Sequence, residues 1–399
     1  MNSDTVDLVP TMFQRVHPNN FSLREARHIV RDLFEPRPLV YWTDFVVSQA
    51  IGIAALLALV YGATPLSWRP LLYVMSVLAF YRAALFIHEL AHLRAGSFPA
   101  FRVAWNLLFG IPFLVPSFLY YAHWSHHLRK RYGTQDDGEY LPLAAGPARN
   151  IVGYLSQSFI IPVLAIARFL VLTPLAWCSP RLRRWVRQRA SSLVIDPSCV
   201  RPLPTHVELR AWRIQEAAVF AYLVAMTGLL AIGALPLAFL GWVYTTSVGV
   251  IMLNAVRTLA AHRYLHTGEE LTFLDQLLDS LTYPNWPAVS GLWAPVGLRF
   301  HALHHLFPSL PYHALAEAHC RLMAQLPDDS PYRQTISPGL WWSLKALWNS
   351  ARQAQRTPDA TTCAHDTLRQ DVGRDNAPAT SGAQVAGGVL VQRLLRERL

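Results

Sequence analysis

Three histidines lie within five residues in the stretch Arg299-Phe-His301-Ala-Leu-His304-His305-Leu-Phe-Pro308, directly after a long apolar region. If this stretch is helical, their i, i+3, i+4 spacing places all three rings on one face. A single histidine on an apolar face is commonly a hydrogen-bonded core residue. Three stacked rings would crowd each other unless a metal ion shares them, because neutral imidazole is the commonest protein metal ligand. The stretch therefore predicts a metal site that needs partners elsewhere in the chain.

The composition favours a membrane protein. Of 399 residues, 52% are hydrophobic and 15% are charged, whereas soluble domains are about 25% charged. The net charge of +10 indicates a positive cytoplasmic face, since no nucleic-acid-binding motif accompanies it. The four cysteines are scattered without a CxxC pair, which argues against a zinc ribbon or a disulfide framework and favours a reduced compartment. The first 40 residues are polar and do not resemble a signal peptide.

Apolar runs predict an all-α polytopic fold with about four transmembrane helices. Each run approaches the ~20 residues that cross ~30 Å of hydrocarbon; they are 45–61, 71–87, 217–239 and 240–259. Two further apolar segments, 101–121 and 151–177, are interrupted by prolines. We expect both to re-enter or to lie along the interface, because irregular backbone at membrane depth must be shielded by protein. A crossing by 101–121 would instead place its flanking histidines on opposite faces.

The remaining regions are predicted to be polar or disordered. Ser22 and Glu25 form a capping-box pattern for a short helix that ends before Pro36. Five arginines between 181 and 189 predict a cytoplasmic loop beside anionic lipid, with a nucleic-acid arm as the alternative. The predicted divisions are a polar cytoplasmic segment over 1–42, a membrane domain over 43–325, its extension over 326–350 and a mostly disordered tail over 351–399, with a short helix near 390–399.

Histidines recur at the ends of the apolar runs. The candidate metal ligands are His88, His92, His123, His126, His127, His262, His301, His304 and His305, with His266 as a further candidate. If the two broken segments do not cross, all of them lie on the side of the arginine-rich loop. One tetrahedral zinc takes four ligands, so nine or ten imidazoles indicate two metal ions with four or five ligands each. Imidazole suits iron, copper, nickel or zinc, and the spacing leaves the metal open.

The order of these motifs resembles the membrane fatty-acid desaturase superfamily over about residues 40–320. His88-Glu-Leu-Ala-His92 resembles the first histidine box of the acyl-lipid desaturases, and His301-Ala-Leu-His-His-Leu-Phe-Pro308 resembles the third. Thr258-Leu-Ala-Ala-His262 is similar to the stretch that supplies an extra ligand, although some relatives have asparagine where this chain has Thr258. The resemblance implies a non-haem di-iron centre held by the nine histidines, which uses O2 and electrons from a separate carrier to attack an unactivated acyl C–H bond.

We therefore expect a fatty-acid desaturase in a bacterial inner membrane, with its active site on the cytoplasmic face. Its substrate would be a long-chain acyl lipid or acyl thioester. No CxxC pairs occur, and His17-Pro-Asn-Asn lacks the glycines of a haem motif; an external ferredoxin-, rubredoxin- or cytochrome-type donor is therefore expected. The main alternative is a hydroxylase or ketolase on the same scaffold, acting on a lipid, sphingoid, carotenoid or alkane. More distant alternatives are an intramembrane zinc metalloprotease, for which HELAH would be the motif, and a non-catalytic membrane binding protein.

Other ionisable residues have weaker predicted roles. Glu89 is expected to orient a ligand histidine. Arg82 is a functional candidate because it lies within a span, and Arg299 could meet a carboxylate or a phosphate. Asp136, Asp137 and Asp275 could also orient a ligand histidine or bind a lipid headgroup, but a solvated loop position is favoured for each. Packing or supporting roles are favoured for His313 and His319.

Overall fold

The computed structural model describes residues 21–356 apart from positions 63, 94 and 95. In that part of the chain the regular structure is helical, with two isolated β-bridges and no strand. The α-helices are α1 Leu23–Ile29, α2 Pro38–Tyr61, α3 Arg69–Ala84, α4 Phe86–His92, α5 Pro99–Trp105, α6 His123–His126, α7 Arg149–Ile166, α8 Thr173–Cys178, α9 Pro180–Arg189, α10 His206–Ala231, α11 Leu237–Leu259, α12 Phe273–Asp279, α13 Pro287–Trp293, α14 His301–Leu306, α15 Leu315–Gln325 and α16 Leu340–Arg356.

Five helical stretches are long and apolar enough to cross a membrane, judged by length and composition. They are Pro38–Tyr61, Leu66–His92, Arg149–Cys178, Glu208–Ala231 and Leu237–Leu259. More than half of each apolar window is uncovered, since the buried share runs from 17% in Glu208–Ala231 to 44% in Leu66–His92. A helix that is apolar all round and uncovered by protein is suited to lipid. The predicted all-α polytopic membrane fold is confirmed. Four of the five stretches overlap the four predicted spans, although the stretch that matches 217–239 begins at Glu208 and ends at Ala231.

Segment 101–121 has the predicted broken path. α5 continues into a π-helical turn, Asn106–Gly110, and the chain then turns back into a 3-10 helix, Ser117–Tyr120. The Asn106 side chain closes this turn, because its Nδ2 donates to Ser117 Oγ at 2.9 Å and its Oδ1 accepts from the Ser117 backbone N–H at 2.9 Å. Both polar groups of the amide are thus satisfied inside the protein, as a backbone at membrane depth requires. The fold therefore favours re-entry over crossing.

The chain on either side of the fifth stretch, residues 149–178, is hydrogen-bonded to the region where the histidines lie. Just before α7, the Ala144 N–H donates to the carbonyl of Tyr264, two residues after a predicted ligand. Just after α9, the Leu193 N–H donates to the carbonyl of Leu119 at 2.9 Å, four residues before another predicted ligand. α9 alone spans about 15 Å, which is too short to recross ~30 Å of hydrocarbon. This geometry favours the predicted re-entrant or interfacial course.

An aromatic cluster fixes α4 against α2 and α5. Phe101 packs edge-on against Phe45 and Phe86, with ring centroids 5.5 and 5.6 Å apart. Each such pair contributes about 0.5–1.5 kcal/mol beyond its buried area. Arg82 adds a two-point ion pair to Asp44, with both contacts at 2.5 Å. This tie between α3 and α2 gives Arg82 a structural role.

The first described helix, α1, packs onto the C-terminal histidine helix α14. Ala26 of α1 joins Leu303 of α14 and Ala318 of α15 in one buried cluster, and Ser22 caps α1 as predicted. α16 continues to Arg356, so it crosses the predicted boundary at residue 351. The rest of the predicted disordered tail, including the helix near 390–399, lies outside the described residues. The four predicted divisions otherwise stay predictions.

Candidate metal centre

All nine predicted ligands converge in two adjacent groups, each with the ligand nitrogens within 4.8 Å of one another. The five-histidine group consists of His88, His92, His123, His127 and His304. The four-histidine group consists of His126, His262, His301 and His305. This division into five and four agrees with the predicted two-metal arrangement. His266 belongs to neither group.

Each HxxHH motif divides its rings between the two groups. His123 and His127, one helical turn apart, join the five-histidine group, whereas His126 joins the four-histidine group. In the last motif, His304 joins the five-histidine group, whereas His301 and His305 join the four-histidine group. Adjacent helix positions point about 100° apart, so neighbouring histidines reach different centres while i, i+4 pairs share one. The motifs therefore bridge the two groups rather than each building one.

The facing ring nitrogens are unusually close. In the five-histidine group, His123 and His127 Nε2 are 3.1 Å apart, and His304 Nε2 lies 3.2 Å from His92 Nε2 and 3.3 Å from His127 Nε2. In the four-histidine group, His301 Nε2 lies 2.9 Å from His262 Nε2 and 3.1 Å from His305 Nε2. Two facing nitrogens can share only one proton. Several of these ring nitrogens therefore keep a lone pair that is free to bind a metal ion.

Bound metal ions fit this donor set. Both ring nitrogens of His88 are buried without a hydrogen-bond partner among the described residues, and each such group costs about 1–3 kcal/mol if left unsatisfied. A metal ion would satisfy one of them. The groups contain only imidazole, which suits iron, copper, nickel and zinc. The five-histidine group has more ligands than a tetrahedral zinc site, and the four-histidine group has the same number.

Two acidic side chains and a tyrosine contact the Nδ1 atoms of three of the candidate ligand histidines. Asp137 Oδ2 lies 2.8 Å from His126 Nδ1, and Glu139 Oε2 lies 2.7 Å from His123 Nδ1. Tyr132 Oη lies 2.8 Å from His262 Nδ1. Tyr132 in turn donates to Asp279 at 2.6 Å. Such partners fix the tautomer and the orientation of a ligand histidine and raise its basicity.

Asp137 corrects one sequence-based expectation. The favoured role was a solvated loop position, but the residue is 1% exposed. Its carboxylate also accepts from the backbone N–H groups of Gly133 and Glu139, at 2.9 and 3.0 Å. These bonds fold loop 133–139 around the acid and aim it at His126. Asp136 is exposed, as expected, whereas Asp275 caps α12 through Thr272.

The pKa values indicate mostly neutral rings outside the candidate spans. Burial lowers the pKa of His301 and His305 well below the ordinary value, and neighbouring imidazoles lower it further. For His126 burial acts in the same direction, but the Asp137 carboxylate outweighs it and the pKa is raised. Burial raises the pKa of Glu139 to about 8. Neutral imidazoles have the free lone pair that metal binding requires.

Glu89 contacts none of the histidines through the hydrogen bonds of the described residues, contrary to its expected role. It accepts from Tyr41 Oη at 2.6 Å and from the Tyr312 backbone N–H at 3.2 Å. A zinc-peptidase general base would have to face the metal-bound water. Its engagement with Tyr41 and Tyr312 therefore weakens the metalloprotease alternative.

The remaining weaker candidates have structural contacts. Arg299 stacks over Phe300 at 4.4 Å, and its Nη1 lies 3.4 Å from the carbonyl of Pro284. His313 accepts from the Arg37 backbone N–H at 3.1 Å, and His319 Nδ1 lies 2.7 Å from Tyr332 Oη. Packing and supporting roles were expected for both histidines, and their contacts agree with this.

Arg257 and Asp279 were missed by the sequence reasoning. Arg257 is buried on α11, where its Nη2 donates to Asn254 at 3.1 Å and its Nε has no partner among the described residues. The signal that singled out Arg82, a charge inside an apolar run, would have found it. Asp279 gave no signal in the sequence. Its Oδ2 lies 3.5 Å from His262 Nδ1 and accepts from Tyr132, which is 147 residues away in the chain.

Comparison with known proteins extends the resemblance of the histidine motifs. The model of the family Fatty acid desaturase matches residues 65–336, a range that contains all nine histidines. A ceramide hydroxylase of Caulobacter vibrioides (strain NA1000 / CB15N) is 38% identical over 343 residues. The alignment covers 83% of this chain and 94% of that protein. The similarity therefore spans the membrane helices as well as the histidine motifs.

Proposed function

The chain belongs to the fatty acid desaturase family, and we propose that it is an O2-dependent lipid hydroxylase whose substrate is a ceramide-like lipid. The observation that carries this proposal is the 38% identity to a ceramide hydroxylase over 94% of that protein's length. It favours the hydroxylase alternative over the desaturase that the sequence alone suggested. Family membership supports the coarser prediction of an oxidoreductase acting on lipid.

Two iron ions are the proposed cofactor, with the five-histidine and four-histidine groups as their ligands. When bound, they would supply the redox chemistry with which O2 oxidises an unactivated C–H bond. The balanced reaction replaces C–H by C–OH, with one O2, two electrons and two protons consumed and one water released. No described residue offers a second redox group, so a separate ferredoxin-, rubredoxin- or cytochrome-type donor is proposed as the source of electrons.

The chain's own residues prepare the site for such a reaction. Asp137 and Tyr132 orient two rings of the four-histidine group, and burial of all four rings keeps water away. Excluding water limits side reactions of an oxidising centre. The uncovered apolar helix faces allow a long-chain lipid to approach from the bilayer.

The proposed location of the active site is the cytoplasmic face of a bacterial inner membrane. The chain just after the arginine-rich α9 hydrogen-bonds to Leu119 and Gly138, which flank the histidines of α6. Because cytoplasmic loops carry the excess of lysine and arginine, the histidines and the basic segment share the side that the rule assigns to the cytoplasm.

A desaturase remains the second candidate, because the matching family model is that of the fatty acid desaturases. Desaturation also consumes one O2, two electrons and two protons, but it forms a C=C bond and two waters. Both reactions can begin by removal of one hydrogen. The histidine ligands therefore do not separate them, and the product must be measured.

The deciding experiment uses the purified full-length protein, iron, a ceramide, a reducing system and 18O2. Hydroxylation adds one labelled oxygen to the lipid, detected by mass spectrometry, whereas desaturation removes two hydrogens and adds no label. His304→Ala should abolish either product. His266→Ala is the matched control, since this histidine belongs to neither group and should leave turnover intact.

An unlabelled product two mass units lighter would replace the hydroxylase by the desaturase. Unchanged ceramide, together with a modified fatty-acyl lipid in the same assay, would reject the ceramide assignment. A protein that binds no iron and turns over no lipid, although it is folded, would reject both enzymatic proposals.

A further inference from the structure

A second polar site lies away from the histidines, between α8, α9 and α10. It is a recess of about 250 Å³ bordered by Arg183 and Arg187 of α9 and by Arg213 of α10. Val186 of α9 is buried against the protein, while Arg181 and Arg184 of the same helix are exposed and do not border the recess. α9 thus has two sets of arginines with different surroundings.

The positive charge of the recess is not neutralised within the protein. Glu216 is the acid that borders it, but this carboxylate is paired with the buried Arg168 guanidinium. Arg168 is held in turn by Thr173 Oγ1 at 2.7 Å and Ser191 Oγ at 2.9 Å. Glu216 and Arg168 cancel each other's charge, so three arginines face the recess without an acid of their own.

The guanidinium N–H groups that these arginines do not use within the protein are available to a bound anion. Arg183 uses Nε and one terminal nitrogen on the carbonyls of Ala176 and Trp177, whereas Arg187 and Arg213 have no hydrogen-bonded acid among the described residues. Burial lowers the pKa of Arg187 and the nearby charge of Arg213 lowers it further, while the charge of Glu216 raises it and that of Arg183 lowers it. The like charges are therefore close enough to repel each other, and an anion between them would relieve this repulsion.

We propose that this recess binds the phosphate group of an anionic membrane lipid. Guanidinium forks match phosphate oxygens in geometry and charge. Trp177, which lines the recess, and Trp185 of α9 are 46% and 51% exposed, as expected for tryptophans at the boundary between membrane and water. A lipid bound here would tie the basic α9 to α8 and α10. The proposal does not depend on the reaction at the histidine centre.

The test uses the full-length protein, stripped of lipid in a neutral detergent, with phosphatidylglycerol as the probe and a diacylglycerol of the same chains as its phosphate-free control. Native mass spectrometry counts the bound lipid, and thermal unfolding gives the stabilisation. The wild type should bind phosphatidylglycerol but not diacylglycerol. The double variant Arg187→Gln/Arg213→Gln should lower the affinity at least about tenfold, since two charge-assisted contacts are lost.

The matched control is Arg181→Gln/Arg184→Gln, which removes the same charge from the exposed face of α9. Its affinity should stay within about twofold of the wild type. Equal losses in both double variants would overturn the site in favour of diffuse attraction, and unchanged affinity in the first variant would overturn it outright. If that variant does not fold, Arg187→Lys replaces it: it keeps the charge, loses the fork, and should weaken binding with unchanged lipid-free stability.

Two further outcomes separate the possible ligands. Inorganic phosphate that binds as tightly as phosphatidylglycerol, measured by competition, would reassign the recess to free phosphate. An acidic redox protein whose binding is lost in Arg187→Gln/Arg213→Gln, with lipid binding unchanged, would reassign it to a protein partner.

Discussion

In the four-histidine group every ring is buried, and two rings rest on partners that are themselves buried: His126 on Asp137, and His262 on Tyr132. In the five-histidine group, His92 and His127 are only partly buried. Its acidic contact is Glu139, whose side chain is 17% exposed. The two groups lie side by side, with the rings of His127 and His305 only 4.4 Å apart.

Two similar sets of histidine ligands can therefore differ in burial and in the side chains that support them. Hydrogen-bond partners that orient a ligand histidine strengthen metal binding. Partly buried ligands leave a route by which small molecules can reach the metal and the metal can exchange with solvent. We therefore expect the four-histidine group to retain its metal more firmly. The five-histidine group should be the more accessible of the two. The following experiments test that inequality.

The largest effect is expected from removing one ligand of each group in turn. His301→Ala and His92→Ala should each lower turnover more than about 100-fold, because even the loss of an outer partner costs roughly 10–100-fold. Metal analysis of each purified variant should show one ion lost and one retained. Loss of both ions in either variant would mean that the two groups bind metal cooperatively. It would reject the expected difference in metal retention between them.

The second largest effect is expected from replacing the two acids that contact ligand histidines, Asp137 and Glu139. Asp137→Asn should weaken metal binding about 10–100-fold, because a buried carboxylate with three hydrogen bonds is replaced by an amide. Glu139→Gln should cost less than about threefold, since the pKa of Glu139 is already raised to about 8 and a neutral side chain is present at neutral pH. Metal titration of both variants gives the affinities. Equal losses would remove the distinction between the two partners.

Acidification should affect the two groups at different pH values. The pKa of His126 is raised above 6.5, while burial holds those of His127 and His304 well below it. As the pH falls through the raised value, a proton competes with the metal at His126, and affinity should fall up to about tenfold per pH unit. Metal retained after dialysis against a chelator at stepped pH measures this. Simultaneous release from both groups would contradict it.

The smallest effect is expected for His266→Ala. This histidine lies outside both groups, and its backbone N–H contacts Tyr140 Oη at 3.3 Å. Metal content should be unchanged and turnover should stay within about twofold. Loss of one ion would add His266 to a ligand set and revise the division into five and four.

The sequence predicted the nine converging histidines because each motif ends or follows an apolar run, and helix periodicity fixes which rings share a face. It could not divide them. His126 and His127 are neighbours, yet they reach different groups because their directions on the helix diverge. That division depends on where α4, α11 and α14 pack around α6, which is a property of the tertiary fold.

The supporting residues were harder to predict for the same reason. Asp137 is close in sequence to His126, but its burial depends on backbone bonds within loop 133–139. A run of aspartates after a histidine motif is ordinarily solvated. Residues 149–178 illustrate the reverse case: length and composition suit a crossing helix, and the short return through α9 favours the predicted re-entrant or interfacial course.

The contact between Tyr41, Glu89 and the Tyr312 backbone has a consequence for biosynthesis. The first helical hairpin leaves the ribosome long before residue 312 is made, since chains emerge in order from the N-terminus. Until then Glu89 lacks one of its partners, and His88 and His92 lack His304. A nascent chain therefore holds an incomplete ligand set in the bilayer. If the proposed metal ions bind to these histidines, both complete ligand sets form only after translation has passed the third histidine motif.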